Sequence, residues 1–298
     1  MDPTATHAAP ITSDIDPTAA DYVDEPSAAL GKFLDATQLD ARDRRALNTR
    51  RGLSDDTIDA LRFRSGGHEL GGALCAMRDS GAFTEQGLVD SGLFTRSDRG
   101  VAPNGIYLRP NVLIPYLDEN GACRLIRPHK GGPKGHPAQV YAPRFASTSA
   151  RRPVVMVEGE FGAAALRQLG VRAIAVPGVS SFAGVNFPRL VAWLTGHDVG
   201  EVVILFGRED KADPDKPGHK PNALSRYDTE YWAWRIATDL AAADIGATVA
   251  TFPIEWDANR AKVDADSALA AGRTREQFSE VIGDGVPPDD YLRAPSLG

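Results

Sequence analysis

From residue 151 onward, short runs of consecutive apolar residues alternate with stretches of helical period. Residues 153–157 read as a buried strand, 161–169 as a helix, 171–177 as a second strand and 186–194 as a helix. A third strand follows at 201–206, a long helix at 225–245 and a fourth strand at 247–253. Unbroken apolar strands separated by helices imply crossover connections and a mainly parallel sheet covered on both faces. The fold class is therefore α/β, Rossmann-like, with functional groups expected at the carboxyl ends of the strands.

The region 28–150 has a different rhythm and reads as a smaller α+β unit. Leu30, Phe33, Leu34 and Leu39 are spaced as on a helix. A second helix is marked by Ser54 as N-cap, Asp55 and Asp56 in its first turn, and Ile58 and Leu61 on its apolar side. Between the two, a basic turn carries Arg42, Arg44, Arg45, Arg50 and Arg51. Such a run is either a solvated helix face or a phosphate-contacting patch. Val112–Asp118 and Ala122–Pro128 form a hairpin around Asn120-Gly121, residues that tolerate the positive φ of a tight turn. The segment 66–100 is glycine-rich and shows no clear period. Residues 1–27, rich in Ala, Thr, Pro and Asp, are expected to be a disordered acidic tail. The expected organisation is thus a tail (1–27), an α+β subdomain (28–150) and an α/β domain (151–298).

Charge and composition narrow the function. The 298 residues carry 33 Lys and Arg against 40 Asp and Glu, a formal charge of −7, which argues against coating nucleic acid or membrane with the whole surface. Two cysteines, Cys75 and Cys123, cannot build a disulfide framework or a four-cysteine zinc site. No apolar run nears the roughly 18 residues of a membrane span, and the N-terminus has neither the basic start nor the apolar core of a secretory signal, so a cytoplasmic location is expected.

The chemistry gathers at the strand ends. The first strand leads into Glu158-Gly159-Glu160, and the third into Gly207-Arg208-Glu209-Asp210-Lys211. The fourth is followed by Asp264 and Asp266. Carboxylates at adjacent strand ends repel one another unless a hard divalent cation lies between them, which makes this a Mg²⁺ site candidate. After the hairpin, Arg124, Arg127, His129, Lys130, Lys134 and His136 are interleaved with Gly131, Gly132 and Gly135, a pattern that lets backbone and cations approach a phosphate chain. The loop that follows Lys211, rich in Pro and Gly, is placed to act as a lid.

VVMVEGEFGAAALRQLGVRAIAVPGVSS and VVILFGRED resemble the TOPRIM domain shared by bacterial-type primases, topoisomerases and some nucleases. VLIPYLDENGACRLIRPHKGG and PKGHPAQVYAPR are similar to the stretch upstream of TOPRIM in DnaG-like primases, and RGLSDDTIDALRF to the helical lead-in of phage and plasmid relatives. The resemblance implies that Glu158 and Glu209 are the catalytic, metal-holding acids for Mg²⁺ or Mn²⁺; Asp210 is the neighbouring acid that could join them, and general base is the alternative role for Glu158. Residue by residue the resemblance points to Arg127 and Lys134 as a basic surface for template or nucleotide, with Tyr141 as a packing residue; in this reading Lys130 joins them, and Arg208 and Lys211 bind near the metal as charge partners.

The activity implied is primer synthesis from nucleoside triphosphates on single-stranded DNA. In this reading, template recognition or translocation comes from a separate helicase or template-recognition protein, since neither a zinc module nor a phosphate-loop ATPase motif is present. Two departures stand out. Gly207 occupies the position of the first acid of the family's Asp-x-Asp pair, and Glu209 that of the second. Asp210, next to Glu209 in an extended segment, points to the opposite face. TOPRIM nuclease activity and a catalytically silent nucleic-acid-binding or regulatory role are the alternatives.

Overall fold

The computed structural model describes residues 24–129, 138–143, 153–209, 229–258 and 262–291, with the backbone alone at Glu209. The Asp24 side chain accepts a hydrogen bond from the Ser27 amide and starts α1 (Glu25–Ala36), so the first helix begins inside the stretch expected to be tail. Ala29, Leu30, Phe33 and Leu34 form its buried face. The five arginines expected on a turn lie instead in or beside a helix, α2 (Ala41–Arg51), capped by Asp40 and stopped by Gly52 at φ 67°. Its period was hidden because Leu47 is its one buried residue, while its caps are ordinary start and stop signals. Ser54 caps α3 (Asp55–Ala60) as expected.

The glycine-rich segment holds β1 (Arg64–Gly66), α4 (Leu70–Asp79), α5 (Glu85–Asp90), β2 (Phe94–Ser97) and β3 (Gly100–Pro103). These pieces are too short for a period to show. The expected hairpin is β4 (Asn111–Leu117) and β5 (Cys123–Pro128), and β1 completes an antiparallel sheet in the order β1-β4-β5.

The second half alternates as expected. β6 (Val154–Val157), α6 (Glu160–Gln168), β7 (Ala173–Ala175), α7 (Val179–Phe182), α8 (Phe187–Gly196) and β8 (Glu201–Ile204) lead to the short β9 (Arg208–Glu209). Then come α9 (Thr229–Ala242), β10 (Gly246–Val249), β11 (Lys262–Val263), α10 (Ala265–Ala270), α11 (Arg275–Gly283) and α12 (Pro288–Tyr291). Four strands make an all-parallel sheet, β10-β8-β6-β7. Alternate residues of its central strands face opposite cores. Val154, Met156, Val202 and Ile204 pack with α8 and α9, while Val155, Val157 and Val203 pack with α6, α10 and α11.

The second of these cores also contains Ile58, Phe63, Ile114 and Tyr116 from the antiparallel half, so the two sheets share apolar packing. Tyr141 is buried there, edge-on to Tyr116 with ring centroids 4.9 Å apart, and pairs with Ala175 of β7 through backbone hydrogen bonds. Among the described residues no helix is long and apolar enough to cross a membrane.

Candidate active site

At the carboxyl ends of β6 and β8 a pocket of about 320 Å³ opens between the parallel sheet, α2 and the hairpin. Its acids are Glu158, Glu160, Asp264 and Asp266, and its cations are Arg51, Arg127 and Lys262. β6 ends at Val157, and Gly159, extended and without a side chain, is the N-cap of α6. That turn sets Glu158 and Glu160 at the pocket.

Glu160 is 5% exposed and is fixed by two groups of the antiparallel half: the Tyr116 hydroxyl donates to it at 3.0 Å and Arg127 Nη1 at 2.5 Å. Burial raises the Tyr116 phenol well above its ordinary range, and the Glu160 charge adds to the effect. Burial pulls the Arg127 guanidinium down, but Glu160 and Tyr116 together, by charge and hydrogen bonding, outweigh it and the net shift is upward. This is a charge-assisted anchor from the β5 strand to the first turn of α6.

Asp266 is the second buried acid. Arg51 Nη1 lies 2.6 Å from its Oδ2, and the same guanidinium sits over the Phe161 ring, 5.1 Å from the centroid. Burial, reinforced by the charge of Asp264, pushes the Asp266 carboxyl up to about 6 despite Arg51. Asp264 caps α10: its Oδ1 accepts from the Ser267 amide at 3.0 Å while its own amide donates to Ser267 Oγ.

Gly207 faces this arrangement from the end of β8. It is buried, and its carbonyl accepts from the Thr229 hydroxyl at 2.7 Å. A Cβ at this position would meet the Val263 carbonyl oxygen at 3.3 Å and Asp264 Cβ at 3.4 Å. The absent side chain thus lets β11 and the start of α10 close against the strand end.

The structure brings together Glu158, Glu160, Arg127, Gly207, Asp264 and Asp266, all singled out in the sequence. It places Arg208 elsewhere, donating to the Phe252 carbonyl at 3.1 Å and lining a smaller cleft with Glu230 and Thr251. The Glu209 backbone pairs with Lys262 across β9 and β11. The Glu209 side chain, Asp210, Lys130, Lys134, Lys211 and the expected lid lie outside the described residues. Sequence reasoning assigned no role to Arg51 individually or to Lys262. The basic run flagged Arg51, whereas nothing local flagged Lys262.

Carboxylate oxygens are the donors a hard cation takes, and Mg²⁺ commonly uses one or two of them with water and substrate phosphates. Among the described residues no three His, Cys, Asp or Glu side chains gather as a metal cluster. The donor chemistry of Glu158 and Asp264 therefore fits an open site of the phosphate-completed kind rather than an all-protein cage.

No family model matches the sequence and no curated protein is similar to it. Solved structures are similar. The RNA polymerase domain of Mycobacterium tuberculosis primase DnaG has a TM-score of 0.63 at 17% identity, covering 91% of this chain and 85% of that one. A DnaG primase catalytic domain bound to ssDNA has a TM-score of 0.59 at 17% identity, over 90% and 84%. The E. coli primase catalytic core has 0.54 at 19% identity, over 90% and 79%. At such identities the likeness is one of fold. The chain has the mixed α/β fold of DnaG primase catalytic cores, with a parallel sheet flanked by helices.

Proposed function

We propose that the chain is a primase-like nucleotidyltransferase with a TOPRIM acid site, joining nucleoside triphosphates on a single-stranded DNA template. The observation that carries this reading is one pocket, at the carboxyl edge of the parallel sheet, where Glu158 and Asp264 lie among Arg51, Arg127 and Lys262. A triphosphate is a polyanion that needs both kinds of group: cations to hold its oxygens and acids to hold a divalent ion. Glu158 and Asp264, with Glu209 and Asp210, would hold Mg²⁺ or Mn²⁺. When bound, the ion neutralises charge developing on the transferring phosphate.

The chain's own residues orient. Glu160 fixes Arg127 and Asp266 fixes Arg51, so both guanidiniums are held in place before substrate arrives. Lys130, Lys134, Arg208 and Lys211 are proposed to steer template or nucleotide, and a separate helicase or template-recognition protein is proposed as partner.

Primer synthesis on single-stranded DNA with Mn²⁺ tests the reading. Product is expected from the wild type and more from Gly207→Asp, with none from Glu158→Ala. Absence of product from both wild type and Gly207→Asp overturns it. A specific observation favours a second reading, a catalytically silent nucleic-acid-binding protein: two of the four acids are already neutralised by arginines, and Gly207 supplies no ligand. That reading expects salt-sensitive DNA affinity indifferent to Mg²⁺. Cleavage of labelled strands with Mn²⁺ and no nucleotides would identify a nuclease instead.

A further inference from the structure

A second and larger cleft, of about 460 Å³, lies between the turn of the β4–β5 hairpin, residues 138–142 and α8. Tyr116 is among the residues that line it, and the Tyr116 hydroxyl donates to Glu160 of the acid pocket. The volume falls in the range of small-molecule sites.

Three features of the lining select a ligand. Arg189, Trp193 and His197 recur every four residues down α8 and its C-cap, so they form one stripe. The imidazole of His197 stacks on the Trp193 ring, with centroids 4.0 Å apart and planes 18° apart, giving two parallel aromatic rings at the cleft. The opposite wall carries the side-chain amides of Asn120 and Gln139, each able to donate and accept.

The charges balance. Arg124 is bound to Asp118 at 2.8 Å, and the exposed Arg189 is offset by the exposed Glu119 on the turn. A cleft of this kind does not suit a polyphosphate. It suits a flat, neutral, hydrogen-bonding ring carrying at most one phosphate.

We propose that this cleft is a nucleobase-binding subsite, in which a base stacks at the Trp193–His197 pair, its edge meets Asn120 and Gln139, and Arg189 meets the attached phosphate. The inference rests on the reading of the chain as a nucleic-acid enzyme and adds to it a place for a nucleotide away from the acid pocket. Base stacking on aromatic side chains is tolerant of sequence, as a template-tracking site requires.

The test measures binding by the full chain in EDTA, by fluorescence anisotropy, with a labelled single strand of about 12 nucleotides and a matched strand containing abasic positions. The wild type should prefer the base-bearing strand. Trp193→Ala should weaken binding to that strand by roughly tenfold while leaving the abasic strand nearly unchanged. Arg189→Glu should weaken both and make the salt dependence shallower. If Trp193→Ala fails to fold, Arg189→Glu and His197→Ala carry the test, since both side chains are exposed.

Competition by a free nucleoside monophosphate that is lost in these variants would identify free nucleotide as the source of the base. Its absence would identify the strand. Equal affinity of the wild type for both strands overturns the proposal, as do unaltered affinities in all three variants. If Arg127→Glu and Lys262→Glu weaken strand binding while the α8 variants do not, the subsite fails and the enzyme reading stands. A wild type that binds no strand at all removes both.

Discussion

Arg51 and Asp266, 215 residues apart in sequence, form a 2.6 Å ion pair that ties the end of α2 to the first turn of α10 at the rim of the acid pocket. The joint is close. Gly52, at φ 67°, packs where an added Cβ would lie 2.6 Å from the Ala270 backbone nitrogen. Gln168 of α6 stitches the same corner, accepting from the Ser54 amide at 2.7 Å and donating to the Gly52 carbonyl at 3.0 Å. The C-terminal end of the helix carrying the basic run is therefore part of the site's wall, while Arg42, Arg45 and Arg50 are exposed.

Arg51→Ala should destabilise the protein by about 1–3 kcal/mol, because it leaves a buried carboxylate without its cation. The figure stays modest because the Arg51 side chain is one-third exposed and already shares its charge with solvent. Adding Asp266→Asn should recover part of the loss, since the unpaired charge is then gone. Urea unfolding of the two single variants and the double variant checks this.

The raised Asp266 carboxyl makes a signed prediction. Its folded value of about 6 lies above the ordinary 3.8, so between these values the folded state holds more protons than the unfolded one. Stability from this group is fully present below pH 3.8 and is lost as pH rises through about 6. Relative to Asp266→Asn, the metal-free wild type should lose melting temperature from pH 4 toward pH 7. A constant difference across that window would show that Asp266 does not titrate there.

Gly52→Ala combines a left-handed backbone with a contact against helix backbone that cannot swing aside. A loss on the order of 2 kcal/mol or more is expected. Because the same joint holds Arg51, a drop in triphosphate affinity should accompany it. Thermal unfolding and nucleotide titration of one preparation read both effects.

Gly207→Asp restores a carboxylate at the end of β8 at a packing cost. The new Cβ meets the Val263 carbonyl oxygen at 3.3 Å, so β11 must give by a few tenths of an ångström and about 1 kcal/mol of stability should be lost. Mn²⁺ should nevertheless bind more tightly than to the wild type. Calorimetric titration measures the affinity, and unchanged binding would place the metal ligands elsewhere.

Tyr116 and Arg127 act on one carboxylate and should couple. Arg127→Ala leaves Glu160 buried with the Tyr116 hydroxyl as its remaining donor of the two, and about 1–3 kcal/mol should be lost. Tyr116→Phe alone should cost about 1 kcal/mol. The double variant should depart from the sum, which a double-mutant cycle detects.

Much of the fold is readable from the chain because its central strands are buried on both faces. Val154–Val157 and residues 202–204 are written as apolar runs, and the helices between them reach about three turns. The hairpin is announced by Asn120-Gly121. α2 escapes because a helix with one buried residue has almost no apolar period, and the pieces between 66 and 103 escape because three to ten residues are too few to show one.

The sequence by itself determined the alternating strands and helices and hence the parallel sheet, and it put acids after β6, after β8 and before α10. Those follow from local pattern and from the handedness of crossover connections. Only the tertiary structure decided that Arg51 from α2 and Arg127 from β5 neutralise Asp266 and Glu160, and that Arg208 turns to Phe252. Pairing across 33 and 215 residues depends on how two sheets share one core, and charge partners chosen by packing leave no local trace in the chain.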